Sequence, residues 1–162
     1  MLIQFCYSLS FGQTAIIQGF IHGIGTDTIF IKRGTALGRY PAEDTLIAKD
    51  GNFKYLLKCE EATFLTLLPK KTQTQLLTVN LTYTPDSKKI VLLVKPNDTI
   101  TISGTLEKFR MDYTVKGSKI CEDINKYWKS NSDVNIKHFK AELEIEPLLV
   151  ENKEKDRIGV AK

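Results

Sequence analysis

The feature that most constrains this chain is a short run of alternating apolar and polar residues that recurs along it, closed each time by turn chemistry. The clearest case is "DTLIA", which leads through Lys49-Asp50-Gly51-Asn52 into "FKYLLK". Asp-Gly between alternating runs marks a tight hairpin, because both central residues of such a turn take positive φ. Phe53, Tyr55 and Leu57 then share one face and Lys54, Leu56 and Lys58 the other, as the period of two in a strand requires.

The same grammar runs through most of the sequence. "TAIIQGFIHG" and "TIFIKR" are joined by "IGTD", where Gly25 supplies positive φ. "TFLTLLP", "QLLTVNLTY", "KIVLLVK", "TITIS" and "DYTVK" follow, separated by Pro69-Lys70-Lys71, Thr84-Pro85-Asp86-Ser87 and Pro96-Asn97-Asp98. Eight or nine strands punctuated in this way exclude βαβ units, which need helical crossovers. They argue for a mainly β protein, an antiparallel β-sandwich of about eight strands. In "KPNDTITISGT" the alternation turns Ile100 and Ile102 to the core and the hydroxyls to solvent. Asp98 reads as a turn residue, with no second carboxylate or histidine near it in sequence.

Beyond residue 117 the period becomes helical. Ser118 is a suitable N-cap, Ile120, Ile124, Tyr127 and Trp128 recur on one apolar face, and Glu122 and Asp123 sit in the first turn, where the helix dipole favours them. Tyr127 and Trp128 are expected to pack on the sandwich, and they are also the candidate partner surface. "NIKHFKAELEIEPLLVENKEK" predicts a second helix, broken or capped near Pro147. The expected organisation is a sandwich over 13–117, one or two C-terminal helices over 118–150 and a charged tail over 151–162. Residues 1–12 look like the back half of a truncated signal peptide, with small Ser10 and Gly12 placed for cleavage before Gln13. The alternative is that they form a first strand.

Charge excludes one large class of function. The chain has 23 basic and 19 acidic residues, with the signs mixed along its length, and the densest basic clusters are pairs such as Lys70-Lys71 and Lys88-Lys89, which read as solvated loop charges. A nucleic-acid binder needs a concentrated basic face, so no nucleic-acid partner is expected. No run reaches the 18 or so apolar residues of a membrane span, so no transmembrane segment is expected in the mature chain.

Cys6, Cys59 and Cys121 contain no C-x-x-C pair, and the two histidines, His22 and His138, have no ligand spacing to them. Neither a metal nor another cofactor is expected. Cys59 and Cys121 could be bridged in an exported protein, but spacing does not fix their approach. As free thiols they are the candidate redox groups. Glu60 and Glu61 beside Cys59 should raise its pKa, whereas the first helical turn at Cys121 favours a thiolate, against the opposing charges of Glu122 and Asp123. "GFIHGIGTD" joins strand to strand and is no phosphate loop, and no Gly-x-Ser-x-Gly elbow or His-Glu-x-x-His helix is present.

Taken in order, "IIQGFIHGIGTDTIFI", "KDGNFKYLLK", "KPNDTITISG" and "YTVKGSK" followed by a helix form a set. It resembles the domain of unknown function at the amino end of exported thioredoxin-like, AhpC/TSA-type thiol:disulfide oxidoreductases of Bacteroidetes. The corresponding elements are Phe20 to Gly23, Asp50 to Phe53, Pro96 to Gly104, with Asn97 where the family often has glycine, and Gly117-Ser118. The resemblance covers roughly residues 14 to 132 and implies a β-sandwich working in the periplasm or cell envelope, with a thioredoxin-like domain or another cell-envelope protein as its partner. It supplies no active site, because the redox cysteines of the fuller proteins belong to the thioredoxin-like domain. The expected function is therefore a non-catalytic exported accessory module that positions a partner protein or redox domain. The alternative is thiol-disulfide exchange through Cys59 or Cys121.

Overall fold

The structure is a computed structural model that describes residues 13–34 and 44–160, with side chains described through residue 155. The proposed leader, Cys6 included, lies outside the described residues. The strands are β1 (Thr14–His22), β2 (Asp27–Arg33), β3 (Asp44–Ala48), β4 (Asn52–Lys58), β5 (Thr63–Pro69), β6 (Thr74–Leu76), β7 (Leu81–Tyr83), β8 (Ile90–Val94), β9 (Thr99–Leu106) and β10 (Met111–Lys116). Two helices follow, α1 (Lys119–Ser130) and α2 (Ser132–Val160). The mainly β expectation holds, with ten strands among the described residues in place of eight or nine. "QLLTVNLTY", read as one strand, is a hairpin: β6 and β7 flank a turn at Leu77–Asn80, with Asn80 at φ 49.

Two four-stranded sheets, ordered β10-β9-β1-β4 and β3-β2-β5-β8, face each other. Alternation sends Ile17, Ile21, Leu57, Ile100 and Ile102 from the first sheet, and Ile29, Ile31, Leu65, Leu67, Ile90 and Leu92 from the second, into one buried core. One pairing departs from the antiparallel expectation: β1 runs parallel to β9, Ile17 opposite Ile100 and Gly19 opposite Ile102. Gly19 permits this close approach, since a Cβ there would sit 2.5 Å from the Ile102 carbonyl oxygen and 2.9 Å from the Phe53 ring.

The sheets are joined differently along their two sides. On one side the β1–β2 and β3–β4 turns cross between them, so neither strand pair forms the expected hairpin; the Asp50-Gly51 turn keeps its positive φ, 49 and 83, but only Lys49 and Asn52 bridge across it before the strands part into different sheets. On the other, α1 packs on β8 and β10 and places fully buried Cys121 in the core. Ser118 has the extended N-cap backbone, but its hydroxyl makes no cap bond. The helix buries Cys121 and Asn125, while Tyr127 is 66 % exposed. The predicted face was therefore misplaced by a residue or two, and Tyr127 packs edge-on against half-buried Trp128 at 6.3 Å rather than on the sandwich.

Helix α2 departs most from expectation. It runs through Pro147 and continues to Val160, so the charged tail predicted from residue 151 is helical as far as 160. A proline removes one hydrogen bond from a helix without having to end it, since flanking turns and tertiary contacts can hold the course. Here those contacts start at buried Phe139, which meets the Phe109 ring at 6.3 Å and lies 5.1 Å from the Lys88 ammonium. The Lys88-Lys89 pair is thus no solvated loop charge: Lys88 caps an aromatic ring of α2, and Lys89 pairs with Asp86. No described helix is long and apolar enough to cross a membrane.

Candidate functional site

The two described cysteines are free and buried. Cys121 behaves as a small core residue whose Sγ donates to the Leu93 carbonyl at 3.0 Å. Burial pushes its pKa up, against the lowering effect of that bond and of Ser118. Cys59, just past β4, is also raised, first by burial and then by Asp98. The sign expected for Cys59 is right, but burial and Asp98 cause it, not the adjacent glutamates. Its place in the first turn of α1 does not activate Cys121, because burial is the largest effect on its pKa and raises it. An attacking thiol needs exposure and thiolate character, and this geometry gives neither cysteine both.

Asp98 is a turn residue as expected: its carboxylate accepts the Lys95 N–H at 3.0 Å and its carbonyl the Ile16 N–H at 2.8 Å. His22 and His138 are surface residues, His138 lying 3.5 Å from Glu142. Among the described residues no cluster of three or more histidine, cysteine or acidic side chains could hold a metal ion.

What the structure assembles instead is an apolar surface that sequence reasoning missed. The β6–β7 hairpin is latched to α2. Glu146 accepts from the Thr78 N–H at 2.8 Å and from the Thr78 hydroxyl, Lys153 donates to the Thr78 carbonyl at 2.9 Å, and the Tyr83 hydroxyl donates to Glu142. Burial and the Glu142 carboxylate hold the Tyr83 pKa well above its ordinary value. The latch brings Leu76 and Val79 against Ala141, Ile145 and Leu149 across an open groove of about 370 Å³. Leu77, Val79 and Leu81 of the hairpin and Ile145, Leu148 and Leu149 of α2 are all exposed. Single exposed apolar residues are ordinary, but a contiguous apolar groove marks an interaction surface. Its one sequence signal is the polarity breakdown in "LLTVNL" and "EPLLVE", where apolar residues fall on both faces of a strand or helix.

The expected partner pair lies elsewhere. Exposed Tyr127 and half-buried Trp128 sit on α1, outside the groove, and the structure does not bring them together with either cysteine in one site.

Fold and surface together define a class: a helix-bearing β-sandwich with buried thiols and an exposed apolar groove. The chain belongs to the family described as domain of unknown function DUF4369, whose model matches residues 16–124. That match runs from β1 into α1 and stops before α2. No curated protein and no solved structure matches the chain.

Proposed function

We propose that this chain is a non-catalytic accessory module that binds and positions a partner protein through the groove between the β6–β7 hairpin and α2. The observation that carries the reading is the exposed apolar groove, held open by polar bonds from residues 59 to 75 positions apart. Two exposed elements locked into one apolar concavity present the kind of surface an amphipathic partner segment fills. The resemblance set out above favours export to the periplasm or cell envelope and a thioredoxin-like redox domain as the partner class. Buried thiols with raised pKa values support placing redox chemistry in the partner rather than in Cys59 or Cys121.

The test is photocrosslinking in the exporting cell from probes at Val79 and Ile145, with a probe at Lys58 on β4 as control. A discrete product from the groove probes alone is expected, and Val79→Asp with Leu149→Asp should abolish it while leaving the melting transition in place. Equal crosslinking from Lys58, or capture that survives the double variant, would remove the groove from the reading.

A further inference from the structure

Outside the groove, three lysines gather around two aromatic rings. Phe109, in the turn between β9 and β10, meets Phe139 of α2 edge-on, with ring centroids 6.3 Å apart. The Lys108 and Lys140 ammoniums lie 5.1 and 4.8 Å from the Phe109 centroid, and the Lys88 ammonium lies 5.1 Å from that of Phe139. Three elements converge here: the 3-10 turn Asp86–Lys88, the β9–β10 turn and α2. Ser87 Oγ ties the first two together by donating to the Phe109 carbonyl at 2.6 Å. None of these residues lines the groove.

The positive charge gathered here is not neutralised from within. Among the described residues none of the three lysines forms an ion pair, while the neighbouring acids are engaged elsewhere, Asp86 with Lys89 and Glu107 with Arg110. A ring face attracts a cation through its quadrupole, which holds the ammonium in place but leaves its charge and its N–H donors unmatched. Lys88 is half-buried, and burial pushes its pKa down with no carboxylate to oppose the effect. Lys108 and Lys140 share one ring and lie within about 10 Å of each other, close to the Debye length, so their repulsion is only partly screened. Cations held in place without a counter-charge are preorganised for an anionic partner.

The arrangement narrows the kind of anion. Phosphate sites favour guanidinium forks or converging backbone N–H groups, and the neighbouring Arg110 gives its Nε and Nη2 to Glu107. The ring centroids are 6.3 Å apart, close to the spacing of about 7 Å between alternate side chains along an extended strand. We propose that Lys88, Lys108 and Lys140 dock an extended acidic segment of a partner protein, whose alternate carboxylates meet the ammoniums over the two rings. This contact is separate from the groove and neither requires nor replaces it.

The test is an NMR titration of the full chain at low salt with the capped peptide Glu-Thr-Glu-Thr-Glu, its Gln-Thr-Gln-Thr-Gln counterpart, inorganic phosphate and vesicles of anionic phospholipid, following the Lys88, Phe109 and Lys140 amides. Saturable shifts with the acidic peptide are expected there, with the glutamine peptide and phosphate each at least about tenfold weaker, a difference of one decade in Kd. Lys108→Gln and Lys140→Gln alter exposed side chains, so they should leave the fold intact and weaken the acidic peptide about threefold each. Lys140→Arg keeps the charge and should bind as the unaltered chain does. Lys54→Gln, on the exposed face of β4, is the control and should change nothing. No saturable shift, a glutamine peptide or phosphate that binds as tightly as the acidic peptide, vesicle binding in place of peptide binding, or a loss from Lys54→Gln equal to that from Lys108→Gln would overturn the proposal. The groove is read by crosslinking at Val79 and Ile145, so neither test decides the other.

Discussion

The β3–β4 corner and the β6–β7 hairpin use the same kinds of residue, yet one belongs to the core and the other to the surface. In β4, Phe53, Tyr55 and Leu57 are buried and the residues between them are exposed, so the strand alternates perfectly against the sandwich. In the hairpin Leu77, Val79 and Leu81 are all exposed, and its tip is fixed by Glu146 and Lys153 of α2. The β3–β4 corner is held by area removed from water, the β6–β7 hairpin by a few directed polar bonds. Hydrophobic burial accumulates with area, whereas each polar bond nets about 1 kcal/mol after exchange with water. The β6–β7 hairpin should therefore be the softer element.

The sharpest way to break this comparison is Leu57→Ala. Leu57 is fully buried in β4, and such a truncation costs about 2–5 kcal/mol through lost transfer energy and a residual cavity. Denaturant unfolding should show that drop as a single cooperative transition. A loss near zero would mean that β4 is not part of the core that holds the sheets together.

Next in size is Gly51→Ala. At φ 83 an L side chain is strained, and its Cβ would lie 2.6 Å from the Ile21 carbonyl oxygen. A residue held in such backbone space costs roughly 1–3 kcal/mol, and the contact with a backbone atom cannot be relieved by a rotamer change. The melting temperature should fall, with the groove crosslink unaffected in the fraction that stays folded.

These first two predictions fall where the sequence was easiest to read. Asp50-Gly51, Gly25, Pro96 to Asp98 and Ser118 each announce a local backbone state, and each adopts it. Period two identified the inward residues of β4 and β9 because those strands are exposed on their outer faces. The rest depends on contacts between residues distant in sequence. Nothing local in "TAIIQGFIH" or "TITISGTL" says that β1 and β9 run parallel. "QLLTVNLTY" reads as one strand because two β-branched residues and a leucine occupy its turn, Leu77–Asn80; Thr78 within that turn is bonded to a helix residue 68 positions away. Pro147 suggested a helix end from local geometry alone, yet α2 continues past it, bonded through Glu142, Glu146 and Lys153 on both sides of the proline. The candidate thiols were visible as residues, but their burial was not.

Glu146→Ala tests the polar side of the comparison. It removes the acceptor of the Thr78 N–H and hydroxyl, at a cost of about 1 kcal/mol. The effect should be local: amide exchange at Thr78 should accelerate while the β4 amides keep their protection. Alkaline pH should act on the same latch. The folded pKa of Tyr83 is raised, so its contribution is complete below the unfolded value of about 10 and is lost as pH rises above it, where the unfolded chain sheds the proton first. Exchange at Thr78 should therefore rise above about pH 10 ahead of the β4 amides, and Tyr83→Phe should remove that component. Loss of β4 protection at the same pH would show that the hairpin and the sandwich open as one unit.

The smallest expected effect carries the comparison furthest. Leu77→Ala deletes a side chain as large as that of Leu57, but from a position 62 % exposed, so its stability cost should stay within about 0.5 kcal/mol. Together the two leucine variants hold chemistry constant and vary only the environment. If both cost several kcal/mol, the hairpin tip is buried by something in solution, and a concentration series would distinguish a second copy of the chain from a change within one copy. If Leu77→Ala is neutral for folding and still weakens the groove crosslink, the apolar tip contributes to binding and not to the fold, which is what an exposed leucine on a latched hairpin is positioned to do.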